Sequence, residues 1–263
     1  AYNGQSGGWN GIYFYDYSDY YGGQSQLGYC IIEKGNEYNY SAVNTIQPNQ
    51  VDHCKIQNAL IDGARYSNSW GAITNCEFLN NGRYPLYFMD PGADPIHIYN
   101  SFTGNGNNRI VLSGRYITAN KTYYNEGIPY HFLGELKVYN SSRLTIKPGT
   151  TLEFDPGFAL HVGYGGSLGE LYAEGNSDSM ITFKPYNNTS GGWNGIYFHD
   201  ESDISGGTSS LKYCTIEKGN AYNIYCENTT QPALDQCIIS YSNSHGMVEQ
   251  NSSAQIHNCQ FLS

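Results

Sequence analysis

The chain has 263 residues, with 13 Lys and Arg against 23 Asp and Glu, a formal net charge of −10, and only 14% charged residues beside 31 Gly and 26 Tyr. Nucleic acid is therefore not an expected partner, because phosphate binding needs a basic face. No apolar run reaches the roughly 18 residues of a membrane-crossing helix, so no membrane span is expected.

The chain begins at Ala1 with no charged-then-apolar leader, which reads as a mature chain or a fragment. Residues 6–14 are SGGWNGIYF. Alternation predicts a strand over 11–14, with Ile12 and Phe14 inward and Trp9 at the corner before it. Residues 16–23 are a polar turn holding Asp16 and Asp19. Cys30, Cys54 and Cys76 then each open a short alternating run followed by Asn or Gly, again strand-like.

Residues 80–143 are less regular. Strands are expected at 86–88, 96–98 and 110–112, and 90–95 must be a loop because two prolines and a glycine cannot hold a ladder. Residues 144–183 become regular again, with strands at 144–146, 151–154, 159–162, 171–173 and 180–183 cut by Pro-Gly and Gly-Gly turns. At 190–198 the nonapeptide SGGWNGIYF returns unchanged, and Asp200 and Asp203 follow it as Asp16 and Asp19 follow the first copy. Cys214, Cys237 and Cys259 answer to Cys30, Cys54 and Cys76, so residues 6–79 are duplicated as 190–262, linked by the less regular 80–189.

The fold follows from the shorter period. Cysteines recur every 22 to 24 residues within each copy, and self-similarity of that length signals a solenoid. Short strands with no long 3.6-residue apolar period make it all-β. The expected fold is a right-handed parallel β-helix spanning 1–263 as one body of roughly twelve rungs, about 22 to 24 residues each. At about 4.8 Å per rung it would be about 55 to 60 Å long.

Residues 144–154 (LTIKPGTTLEF), 165–168 (GGSL), 173–175 (AEG), 181–183 (ITF) and 191–198 (GGWNGIYF) carry a family resemblance. The chain resembles the secreted right-handed parallel β-helix proteins of the pectate-lyase-like superfamily, and more narrowly large prokaryotic surface proteins. The resemblance implies an extracellular or cell-surface location. It specifies fold better than activity, since lyases, hydrolases, adhesins and fibres share it. Hydrolases of that superfamily carry Asn-Thr-Asp, Asp-Asp, Gly-His-Gly and Arg-x-Lys signatures. None occurs here, and Ser244-His245-Gly246 is the nearest approach. The seven histidines do not cluster in sequence, although distant residues can converge on one rung face.

Four further sets of residues stand out. The six ladder cysteines Cys30, Cys54, Cys76, Cys214, Cys237 and Cys259 are expected in one buried, reduced column, because in-register rungs about 4.8 Å apart suit small apolar side chains better than disulfides. A zinc site fits a linear column poorly, and no repeat rule places Cys226. Asp16, Asp19, Asp200 and Asp203 are candidate calcium ligands, the only cofactor entertained, although Asp is also an ordinary turn former. The tyrosines crowding the first rungs suit either rung stacking or contact with cell-surface carbohydrate. Seven sequons, at Asn39, Asn120, Asn140, Asn187, Asn188, Asn228 and Asn251, permit glycosylation.

The two ends match each other. Residues 259–263 followed by 1–6 read much like 180–187, with Tyr2-Asn3 matching Tyr186-Asn187 and no cap at either end. The expectation is a non-catalytic extracellular subunit that polymerises head to tail through Trp9, Ile12, Phe14, Cys259 and Phe261, the partner being another copy of itself. The alternatives are a carbohydrate-binding or carbohydrate-cleaving β-helix, or a fragment of a longer adhesin.

Overall fold

The computed structural model describes residues 4–93 and 95–263. The chain is an all-β parallel solenoid of about ten turns, roughly 24 residues per turn, rather than twelve. The difference comes from long turns. Leu160 pairs with Ile196 and Ile181 with Cys214, so the loops at 163–167 and 186–192 and the turn at 200–206 use chain that a minimal rung would not.

The chain divides into two compact units, residues 1–113 with 126–129, and residues 114–125 with 130–263. In the first unit each turn contributes three short strands to three parallel columns. One column runs Ile12–Phe14, Tyr38–Val43, Asp62–Ser67, Leu86–Phe88, Ile110–Leu112. The second runs Gln26–Gly28, Gln50–Asp52, Ala72–Thr74, Ile96–Ile98, and the third Ile31–Glu33, Lys55–Gln57, Glu77–Leu79, Ser101–Thr103. The inward residues are mostly apolar and in register from turn to turn, as in Ile32, Ile56, Phe78 and Phe102, with His97 buried below Ile73 as an exception. Two-residue alternation in the short strands buries one face at once, so the core is largely a stack of like side chains.

The second unit repeats this plan. Its columns are Tyr130–Phe132 through Thr151–Phe154, Ile181–Pro185, Cys214–Glu217 and Ile238–Ser240 to Gln260–Leu262; Arg115–Ile117 through Leu136–Val138, Leu160–Val162, Ile196–Phe198 and Tyr222–Glu227 to His245–Gln250; and Lys121–Tyr123 through Ser142–Ile146, Gly169–Glu174, Ser210–Lys212 and Ala233–Asp235 to Gln255–His257. The segment 80–143 thus lacks the letters of the repeat but keeps its strands. Asp94, in the predicted loop, and Ala1, Tyr2 and Asn3, in the predicted joint, lie outside the described residues.

The corners explain the periodic non-apolar letters. Tyr29, His53 and Asn75, and again Tyr213, Gln236 and Asn258, take positive φ near 50° immediately before a ladder cysteine. A single left-handed residue turns the chain sharply between strands. Gly11 and Gly195 sit at φ +86° and +89°, where an added Cβ would lie 2.5 Å from the carbonyl oxygen of Tyr38 or Tyr222. The repeated glycine in the nonapeptide is therefore required by close approach to the next turn.

Duplication in sequence is duplication in contacts. Trp9 Nε1–H donates to Glu33 O at 2.7 Å and Trp193 Nε1–H to Glu217 O at 2.8 Å. Ser18 and Thr45 hydroxyls meet at 2.8 Å, as do Ser202 and Thr229.

Candidate functional site

Within each copy three aromatic side chains stand on the outer face at equivalent places. In the first, Tyr13 stacks on Tyr15 at 4.1 Å between ring centroids and meets Tyr38 edge-on at 5.6 Å. With Asn10, Asn36 and Glu37 they line a groove of about 410 Å³. In the second, Tyr197 stacks on His199 at 5.9 Å and meets Tyr222 edge-on at 5.4 Å.

The second triad is closed over by the preceding turn. His161, in register with Tyr197 and between it and Lys137, stacks on Tyr197 at 4.9 Å and on His199 at 5.2 Å. A relay of hydrogen bonds runs through it: His199 Nε2–H donates to His161 Nδ1 at 3.0 Å, and His161 Nε2–H donates to Glu135 Oε2 at 3.3 Å. That tautomer lets the His161 ring donate to one neighbour and accept from the other. Burial first, and the neighbouring His161 second, push His199 down to about 4. Burial pushes Glu135 up, but hydrogen bonds from His161 and the Ala159 N–H outweigh it and hold the carboxyl below its ordinary range. Burial also raises the Tyr197 phenol. Hydrogen-bond distances thus link Glu135, His161 and His199 in one line. The pairing of Tyr15 with His199 in the duplicated sequence marks the site, but the partners His161 and Glu135 come from turns outside the duplication, which hid it.

The cysteine column is corrected by the structure. The six do not form one column: the first trio is followed by Asn100, whose Oδ1 accepts the Cys76 N–H at 3.0 Å, and the second is preceded by Ile181, in register with Cys214. Each trio is a separate ladder, because the strands between them carry other residues at that place. All seven cysteines are free; Cys30 and Cys259 are half-buried and the others, Cys226 included, are buried.

The acidic turns are equivalent short 3₁₀ segments, Asp16–Gly22 in one copy and Asp200–Ser202 with Ile204–Gly206 in the other. Asp19 accepts the Ile46 N–H at 2.9 Å, and Asp203 accepts the Thr230 N–H and hydroxyl, both at 2.7 Å. These carboxylates therefore tie each turn to the following one. Among the described residues no group of three or more His, Cys, Asp or Glu side chains converges as a metal would require.

The sequon at Asn39 is corrected too. Asn39 is 0% exposed, and its amide donates to Gln57 O at 2.9 Å and Asn81 Oδ1 at 3.2 Å. It belongs to an internal Asn ladder with Asn81 and Asn105, so no glycan can reach it in the folded chain. Asn120, Asn140, Asn187, Asn188, Asn228 and Asn251 are exposed.

The residues predicted for assembly are distinguished by their burial. Trp193, Ile196 and Phe198 are all 0% exposed, while Trp9, Ile12 and Phe14, the same letters in the first copy, are half-buried. Conversely Phe261 is 48% and Ile256 41% exposed, while their counterparts Phe78 and Ile73 are 0%. Ser244 Oγ and His245 Nδ1 lie 2.9 Å apart on the surface. No helix among the described residues is long and apolar enough to cross a membrane. Compared with known proteins, the chain matches no family model, no curated protein and no solved structure.

Proposed function

We propose that the chain is a structural β-solenoid of the extracellular or cell-surface type, which stacks rung on rung with further copies of itself. The observation that carries this is the nonapeptide: its Trp, Ile and Phe are fully buried in one copy and only half-buried in the other. The resemblance of the motif runs at 144–154 and 165–198 to those of secreted β-helix surface proteins supports the location.

The second copy supplies the geometry of the joint. The strand leading into its nonapeptide, Ile181–Pro185, is the sheet neighbour of Cys214–Glu217. By the same placement Gln260–Leu262 would neighbour Ile31–Glu33 of the next copy, Gln255–His257 would neighbour Gln26–Gly28, and His245–Gln250 would neighbour Ile12–Phe14. Phe261 then meets Ile32, Ile256 meets Leu27, and Met247 meets Ile12. Each buried apolar side chain contributes roughly 1.5 to 3 kcal/mol. A head-to-tail contact of this kind does not close, so it grows as a filament.

One residue opposes it. Glu249 is in register with Cys226, an inward position, and is held by the Ala254 N–H at 2.8 Å. An inward charge at a sheet edge resists stacking, since burying it unpaired is costly. Glu249→Leu should therefore lengthen filaments in negative-stain images, and Ile12→Asp should abolish them. Particles of unchanged size for both variants would reject self-stacking and leave a further rung of a longer polypeptide as the cover of these faces.

A second reading rests on the open groove of Tyr13, Tyr15 and Tyr38 beside Asn10, Asn36 and Glu37, which offers stacking rings and hydrogen-bonding groups to a sugar. Glycan-array binding lost in Tyr13→Ala but retained in Tyr197→Ala would support it.

A further inference from the structure

We propose that Cys30 and Cys54 form a two-coordinate site for a soft monovalent metal ion of the copper(I) or silver(I) kind. The site lies inside one copy and does not depend on end-on stacking. Both thiols line a surface groove of about 320 Å³, with Tyr29, His53, Lys55 and Glu77 around them. Their strands are parallel and in register, Ile31 opposite Lys55, and the sulfurs are 3.4 Å apart.

The spacing chooses the chemistry. A disulfide needs about 2.05 Å between sulfurs and a near-perpendicular dihedral, which in-register strands about 4.8 Å apart oppose. Tetrahedral zinc needs four converging ligands, and among the described residues no such group forms. With the zinc–thiolate length of about 2.3 Å as a guide, two collinear metal–thiolate bonds span about 4.6 Å, close to the rung spacing. Opening the pair by that amount falls to Cys30, which is half-buried where Cys54 is buried. Soft thiolates select soft ions such as copper(I).

The proton balance is simple. Burial, then the neighbouring Cys54 thiol, pushes Cys30 up to about 11, so its thiol is protonated without metal. Binding breaks two S–H bonds, forms two metal–sulfur bonds and releases two protons to solvent, with no change of oxidation state. Lys55, paired with Glu77 at 3.0 Å, lies beside the resulting anionic centre.

The test is an anaerobic silver(I) titration of the whole chain in chloride-free buffer, followed by thiolate charge-transfer absorption and native mass spectrometry. The chain should bind silver, and Cys30→Ser and Cys54→Ala should each lose one equivalent. Their tightest binding should weaken at least about 100-fold, the upper range for disturbing even an outer-shell partner. Cys226→Ser should bind like the parent. Should Cys54→Ala unfold, Cys30→Ser alone decides, because Cys30 is only half-buried. Unchanged stoichiometry and affinity in Cys30→Ser, no binding by the parent, or a Cys30–Cys54 disulfide in the aerobically purified chain each overturns the proposal.

Discussion

Replacing Trp193 and Trp9 separately by Ala asks whether the duplicated nonapeptide does the same work in its two settings. Trp193 is fully buried, stacks on Phe154 at 4.9 Å and donates its indole N–H to Glu217 O. Truncating a buried Trp costs about 3 to 5 kcal/mol. Trp9 makes the equivalent hydrogen bond to Glu33 O but is only half-buried, with no ring stacked on it among the described residues. Scaling by the larger part of the ring that is buried, and leaving out the stacked partner, gives about 2 to 3.5 kcal/mol. At about 2 to 4 °C per kcal/mol, the melting temperature should fall by about 12 °C for Trp193→Ala and about 8 °C for Trp9→Ala. The assay is thermal unfolding by far-ultraviolet circular dichroism in dilute solution, where stacking is absent. Equal losses would refute the reasoning, because they would mean that both tryptophans are equally enclosed within a single copy.

Three more expectations follow from the same contacts. A thiol reagent should label Cys30 and Cys259 in the native chain and the other five only after denaturation; early labelling of Cys54 or Cys237 would contradict the two ladders. Because the folded His199 is depressed to about 4 against an unfolded value near 6.5, the unfolded chain binds the extra proton in that window. Stability should therefore be fully present above about pH 6.5 and fall by about 1 to 2 kcal/mol toward pH 4, after discounting for partial exposure, and His199→Phe should remove that slope in denaturant titrations. Asp203→Ala, which removes two hydrogen bonds to Thr230, should cost about 1 to 3 kcal/mol; a chain stabilised by calcium through these turns would instead show a loss that chelator reproduces.

How much of this was legible depended on whether a feature repeats. The nonapeptide, the cysteine spacing and the Gly and Pro breaks revealed parallel rungs because strand, corner and strand recur with the same side-chain requirements at each turn. The inward places of Ile12 and Phe14 followed from alternation alone. The number of turns did not, because loops such as 186–192 lengthen a turn without adding a strand to a column. Nor did the His161–His199 contact, since Leu160 pairs with Ile196 across one of those long turns and nothing local links the two histidines. Asn39 looked like a surface sequon because a buried Asn ladder has the same letters as an exposed one; only its partners Gln57 and Asn81 distinguish them. The single cysteine column failed for a related reason: spacing within each copy was regular, but Asn100 and Ile181 hold the flanking places.

The central claim is that the exposed apolar faces around Ile12 and Phe261 are made to receive one another. Sedimentation velocity of the whole chain across a hundredfold range of concentration, beside Ile12→Asp, addresses it most directly. The account predicts a weight-average sedimentation coefficient that climbs with concentration without reaching a plateau, and a concentration-independent monomer for Ile12→Asp whose circular dichroism spectrum matches the parent. A parent chain that stays monomeric throughout, or an Ile12→Asp variant that grows just as the parent does, contradicts it.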